Sequence, residues 1–169
     1  GAETPSPSTI KLSLLRHPWI DGDEDATGRL VDGAEAGDRG LVEEMLSKRT
    51  SPDAVDADGD SALLLASAEG HLEVVRLLLE AGADTNKAAQ DGWTALHAAS
   101  GAGHLEVVRL ILDAGADKDK ARQNGATALH AASDAGHLEV VRLLLGAGAD
   151  KDKVSQYGDT ALHAASQAG

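Results

Sequence analysis

From His71 to Leu79 the chain reads polar, apolar, polar, apolar, apolar, polar, and then three leucines; HLEVVRL returns unchanged at His104–Leu110 and His137–Leu143. In the middle copy the long polar residues Glu106, Arg109 and Asp113 fall at i, i+3 and i+7, one narrow stripe of an α-helix. Leu105, Val107, Val108, Leu110, Ile111 and Leu112 take up the rest of the circumference. A helix apolar on nearly all sides has to be covered on nearly all sides, and burying each Leu or Val is worth about 1.5–3 kcal/mol. The pattern predicts this helix over His104–Ala114, closed by Gly115. A shorter, alanine-rich helix is predicted ahead of it over Ala95–Ala102, with Thr94 as N-cap and Gly103 at its end. Asp117–Gln123 is polar and leads out to the next turn.

The pattern is periodic. Asp58-Gly59, Asp91-Gly92, Asn124-Gly125 and Tyr157-Gly158 are turn dipeptides, each 33 residues after the last. TALHAAS follows them at Thr94–Ser100, Thr127–Ser133 and Thr160–Ser166, with SALLLAS at Ser61–Ser67. Leu30, Gly37 and Val42 lie 33 residues before Leu63, Gly70 and Val75, so the register extends upstream. The chain divides into a non-repeat tail over 1–26, a degenerate capping repeat over 27–57, full repeats over 58–90, 91–123 and 124–156, and a truncated one over 157–169. A second helix is covered on one flank by the first helix of its own unit. Only adjacent units can cover the others, which predicts a one-dimensional stack.

The stretch DGWTALHAASGAGHLEVVRLILDAGAD at Asp91–Asp117 resembles the ankyrin repeat, marked by a T-P-L-H-x-A core, then G-H-L and a Leu-rich helix. The match runs from about Arg29 to Gly169. Ala95, Ala128 and Ala161 stand in place of the usual Pro, which preorganises a first turn without being required. Leu64 stands where later copies have His97, His130 and His163, so the first full unit lacks the turn bond that this His makes in the family. The resemblance implies an all-α solenoid of stacked helix-turn-helix units with projecting β-hairpin or turn fingers. It also implies protein binding through the fingers and the concave face of the first helices.

Composition narrows the chemistry. The 169 residues suffice for a sizeable core, but Phe is absent and aromatics are 2%, so Leu, Val, Ile and Ala must build it. A net charge of −13 disfavours nucleic acid or an anionic membrane as main partner, since both need a basic footprint. With no Cys, disulfides and thiolate metal sites are excluded. No apolar run approaches the roughly 18 residues of a membrane span. The expected location is intracellular, the cytoplasm first. An organelle is the alternative, because the chain begins with Gly and lacks a secretory layout.

Six of seven histidines form two columns: His97, His130 and His163, then His71, His104 and His137. Column neighbours stand one helix spacing apart, about 8–10 Å, whereas zinc ligands approach one ion within about 2.1 Å. Structural hydrogen bonding is the reading, with no metal. His97 beside Ser100 or Thr94 lacks an orienting acid and an oxyanion hole. Gly101-Ala-Gly103 has neither a preceding strand nor the third Gly of a dinucleotide loop. Asp56-Ala-Asp58-Gly59 fails as a calcium loop, because Ala54 and Leu65 fall where carboxylates belong. Asp21, Asp23, Glu24 and Asp25 read as a solvated linker. The repeated residues are scaffold, with no catalytic residue and no cofactor.

Function should lie where the copies differ. Beside the turns these positions are Asp58 and Asp60; Gln90, Asp91 and Trp93; Gln123, Asn124 and Ala126; and Tyr157 and Asp159, with Ala57 and Gln156 in the same columns. Trp93 and Tyr157 are the stack's aromatics, and exposed aromatics make favoured interface anchors. For Trp93, packing on a neighbouring finger is the alternative. The aspartates favour a partner bearing Lys or Arg, while Lys118, Lys120, Arg122, Lys151 and Lys153 read as solvated finger residues. Leu12, Leu14, Leu15, Trp19 and Ile20 form an anchor segment that either docks on the first unit or inserts into a partner. Gly169 aligns with Gly136, Gly103 and Gly70, just before a unit's second helix, which leads us to expect a longer repeat array. The expectation is a non-catalytic module that binds a protein partner and is monomeric alone. The alternatives are an accessory subunit of a larger assembly, held by its N-terminal segment, or the targeting part of a longer enzyme.

Overall fold

The computed structural model describes residues 24–163. Eight helices run through them in pairs: α1 (Glu24–Ala36) and α2 (Arg39–Ser47), α3 (Ala62–Glu69) and α4 (Leu72–Glu80), α5 (Ala95–Ala102) and α6 (Leu105–Asp113), α7 (Ala128–Asp134) and α8 (Leu138–Gly146). A further helix opens at Ala161. The anchor segment Leu12–Ile20 and the end of the final helix lie outside the described residues, and α1 starts within the segment read as tail.

Local chemistry sets the helix ends. Ser61 accepts from the Leu64 N–H at 3.2 Å and caps α3. Thr94 and Thr127 cap α5 and α7. Gly103 closes α5 at φ +78°, where a Cβ would come within 2.6 Å of the His137 ring. That position therefore excludes a side chain twice, by conformation and by space.

Packing follows the expected order. Inner helices meet in sequence, α1 on α3, α3 on α5 and α5 on α7, and outer helices likewise, α2 on α4, α4 on α6 and α6 on α8. Ala62, Ala66, Ala95, Ala99, Ala128 and Ala132 are buried between the inner helices, where their small side chains permit close approach. Leu30, Leu46, Leu78, Ile111 and Leu144 belong to one core running the length of the stack.

The outer helices depart from expectation in one respect. Val107, Val108 and Ile111 are buried, but Leu105, Leu110 and Leu112 are only half-buried. The inner helix and the two flanking outer helices cover three sides; the fourth faces solvent, and these leucines stand at its borders. The fingers also differ from regular hairpins. Single antiparallel bridges, Val55 with Ser61, Ala88 with Thr94 and Val154 with Thr160, close them, and there are no ladders among the described residues.

Two substitutions test this architecture by chemical denaturation. Ile111→Ala is expected to destabilise by about 2–5 kcal/mol, because its cavity opens at a junction of three outer helices, while Leu112→Ala costs markedly less. Gly103→Ala is expected to destabilise although alanine favours helices, since it forces a positive φ and displaces His137.

Candidate functional site

The fingers owe their shape to short hydrogen bonds close to the turns. Asp56 Oδ1 accepts from the N–H groups of Asp58 and Asp60 at 2.9 and 2.8 Å. Asp91 Oδ1 accepts from Trp93 at 2.9 Å, and Asn124 Oδ1 from Ala126 at 3.1 Å. Neighbouring fingers are then tied together: the Gln123 N–H donates to the Asp91 carbonyl at 2.9 Å and Gln156 to the Asn124 carbonyl at 2.7 Å. The Gln123 side-chain amide also donates to the Gln90 carbonyl.

The histidine columns act between units. His97 Nδ1 accepts from the Thr94 backbone N–H at 3.3 Å and lies 2.8 Å from its hydroxyl. The ring proton must then sit on Nε2, which faces the Ala126 carbonyl of the next finger at 3.4 Å. His130 repeats this with Thr127 and Asp159. The second column works in the opposite direction: His71, His104 and His137 place Nε2 2.9–3.0 Å from the carbonyls of Glu35, Ala68 and Gly101 in the preceding unit. Ring nitrogens committed to carbonyls are poorly placed to bind metal, and no group of three or more possible ligands forms among the described residues. Ser100 is fully buried, which removes it as a nucleophile for an external substrate.

Trp93 stands at the centre of the variable residues. Its ring stacks on His97 with centroids 5.5 Å apart, and the Arg122 guanidinium lies 4.3 Å from the indole centroid. Arg122 also pairs with the Asp91 carboxylate. Burial pushes the Asp91 carboxyl up, but the Arg122 hydrogen bond, the Trp93 N–H and the Arg122 charge outweigh it and hold it below its ordinary range. Asp60 moves the other way, raised by burial and then by Asp56, Asp58 and Asp91. An open cleft of about 490 Å³ is lined by Asp58, Asp60, Ala89, Gln90, Asp91, Trp93 and Arg122. Beyond the indole lies a second concavity of about 380 Å³, which includes Asn124, Ala126 and Asp134.

The structure thus gathers Asp58, Asp60, Gln90, Asp91 and Trp93 on one cleft and sets Asn124 and Ala126 on the next. Gln123 is exposed beside them. Tyr157, 76% exposed, and the half-buried Asp159 belong to the last described finger and line neither concavity. Arg122, read from sequence as a solvated finger residue, packs on Trp93 instead. The signal was its column, where the other units have Asp56, Ala89 and Ser155. Sequence reading also missed the acidic finger residues as structural acceptors. Asp84 N–H donates to Asp53 at 2.7 Å, Asp117 to Asn86 at 2.8 Å and Asp150 to Asp119 at 2.7 Å, one rung per junction.

A family model described as "Ankyrin repeats (3 copies)" matches residues 30–122 and 115–169. No curated protein matches the chain. No helix among the described residues is long and apolar enough to cross a membrane.

His97 generates a pH prediction. Burial, with the positive charge of Arg122 in support, lowers its pKa to about 4, against about 6.5 in an unfolded chain. The fold thus favours the neutral ring. The contribution is fully present above pH ~6.5, declines as pH falls towards ~4, and amounts to on the order of 3 kcal/mol over that window. Urea denaturation across the range should show this slope. His97→Leu, which copies Leu64 of the preceding unit, should fold and flatten it by that amount.

Proposed function

The chain belongs to the ankyrin repeat family, and from that premise we propose that it is a non-catalytic module that grips a basic protein segment in the Trp93 cleft. Ankyrin repeats are generally protein–protein interaction modules. One observation carries the reading: residues that differ between the copies, drawn from three successive fingers, line a single cleft.

The chemistry of the cleft suits a lysine or arginine side chain. Three carboxylates, Asp58, Asp60 and Asp91, face one guanidinium, and that guanidinium is engaged with Asp91 and the indole. Burial and then like charges raise the Asp60 pKa, and an incoming cation stabilises its ionised form. Trp93 is held between His97 and Arg122, and a rigid aromatic loses little entropy on binding. The two readings of Trp93, interface anchor or packing on a neighbouring finger, are therefore compatible, the packing fixing the ring beside the cleft.

Panning a random-peptide display library against the full chain tests the proposal. Enriched peptides should carry Lys or Arg and bind Trp93→Ala more than tenfold more weakly, a loss of about 1.4 kcal/mol. Circular dichroism of the variant controls for folding, because Trp93 also contacts Arg122 and His97. Peptides that bind Trp93→Ala and Asp60→Asn as tightly as the parent chain would remove the cleft from the site.

A further inference from the structure

The first unit departs from the others in the loop that follows its outer helix. The later units have Gly82-Ala83-Asp84, Gly115-Ala116-Asp117 and Gly148-Ala149-Asp150 there, whereas the first has Arg49-Thr50-Ser51, followed by Pro52. The backbone takes one path in all four. The N–H groups of Thr50, Ala83, Ala116 and Ala149 donate to the carbonyls of Met45, Leu78, Ile111 and Leu144 at 3.0–3.2 Å. Gly82, Gly115 and Gly148 have φ of +93°, +91° and +83°, and Arg49 has +68°, as the one residue other than glycine with positive φ among the described residues. A cation thus stands where glycine alone is free of steric strain. Pro52 is the only proline among the described residues.

Ser51 fills an aspartate's place. Asp84, Asp117 and Asp150 each accept from the N–H two residues on, that of Asn86, Asp119 and Asp152, at 2.8, 2.9 and 3.0 Å. Ser51 Oγ accepts from the Asp53 N–H in the same way, at 3.3 Å. The later units therefore hold a full negative charge at this point of the fold. A neighbouring acid does not prevent it, since Asp117 and Asp119 stand two residues apart, as Ser51 and Asp53 do. The Asp53 carboxylate is itself engaged by the Asp84 N–H at 2.7 Å. On its other side Ser51 is preceded by Lys48 and Arg49, and Arg49 enters no ion pair among the described residues. Thr50 and Pro52 are buried, which leaves Ser51 as the hydroxyl with surface in solvent.

We infer that Ser51 is a phosphorylation site for a proline-directed protein kinase, and that its phosphate completes the column of anions. The γ-phosphoryl group of ATP passes to Ser51 Oγ. A phosphorus–oxygen bond forms there, the bond to the β-phosphate oxygen breaks, ADP leaves, and the hydroxyl proton goes to the catalytic base of the kinase. The product carries a charge of about −1.5 to −2 and three acceptor oxygens. One oxygen takes the Asp53 N–H, as the aspartates do in later units, and the others are offered to Arg49, two residues away. Because Pro52 is buried, the loop has to lift to enter a kinase. It lies outside the helices, on a finger closed by the single bridge between Val55 and Ser61, so that opening is local. Neither Ser51 nor Arg49 lines the Trp93 cleft, and the inference stands apart from the proposed function.

The test uses the full chain with Thr4→Ala and Ser6→Ala, which removes the other hydroxyls that precede a proline. It is incubated with ATP and, separately, with two proline-directed kinases of different families, each also given the peptide LSKRTSPDAVD, the sequence of residues 46–56. Mass spectrometry should place one phosphoryl group on Ser51 of the folded chain and none on this loop in Ser51→Ala. In the phosphorylated chain the Asp53 amide should exchange with solvent at least about tenfold more slowly, and the urea midpoint should rise. Ser51→Asp, which needs no kinase, should be at least as stable as Ser51→Ala. Failure of both kinases to modify Ser51 in the folded chain overturns the proposal, whether or not they modify the peptide. So does a phosphorylated chain whose midpoint falls or whose Asp53 amide exchanges as before. A Ser51→Asp variant less stable than Ser51→Ala does the same, since the loop would then reject the charge.

Discussion

Each outer helix carries more apolar surface than its own inner helix can cover. From this constraint the linear architecture follows. Val108 and Ile111 are removed from water only when α4 lies on one side and α8 on the other, and the same holds down the column. Stability is thus a sum over junctions rather than the property of a central core. An interior unit has two such neighbours, whereas α8 lacks a following outer helix among the described residues. Leu138 and Leu145 are accordingly more exposed than their interior counterparts.

Hydrophobic contact alone would let the units slide. Directional bonds fix the register, and they come in two senses. His97 and His130 reach forward to the next finger, while His71, His104 and His137 reach back to the preceding inner helix. A third set ties the fingers through Asp53, Asn86 and Asp119. The histidines beside threonine, and aspartates such as Asp53 and Asp119, are thereby committed to assembly: their ring nitrogens and carboxylate oxygens face backbone groups of the neighbouring unit.

A scaffold so fixed gives single substitutions unusual reach. Trp93 and Arg122 each interrupt a column of small or polar residues, Asp60, Ala126 and Asp159 for the first and Asp56, Ala89 and Ser155 for the second, and the spacing of the fingers brings the two interruptions side by side. Asp91 and Asp60 show the consequence: carboxylates on neighbouring fingers shift in opposite directions, because burial and then the carboxylates around it raise Asp60, whereas at Asp91 the Arg122 hydrogen bond and charge, with the Trp93 N–H, outweigh burial.

The sequence by itself determined the periodic architecture. The 33-residue register, the limits of α5 and α6 to within a residue, the glycine helix end at Gly103 and the burial of Val107, Val108 and Ile111 were legible because they depend on local propensity and on apolar spacing. Much of the candidate cleft was legible too, since variation between copies is visible in the letters. What only the tertiary structure decided depends on neighbours that are distant in sequence. The half-exposure of Leu105, Leu110 and Leu112 depends on where flanking helices stop. The commitment of Arg122 to Trp93 arises across about one repeat of chain, as does the use of aspartates as rungs between fingers. The lowered pKa of His97 has the same origin, because burial is set by what is stacked on a residue and not by its neighbours along the chain.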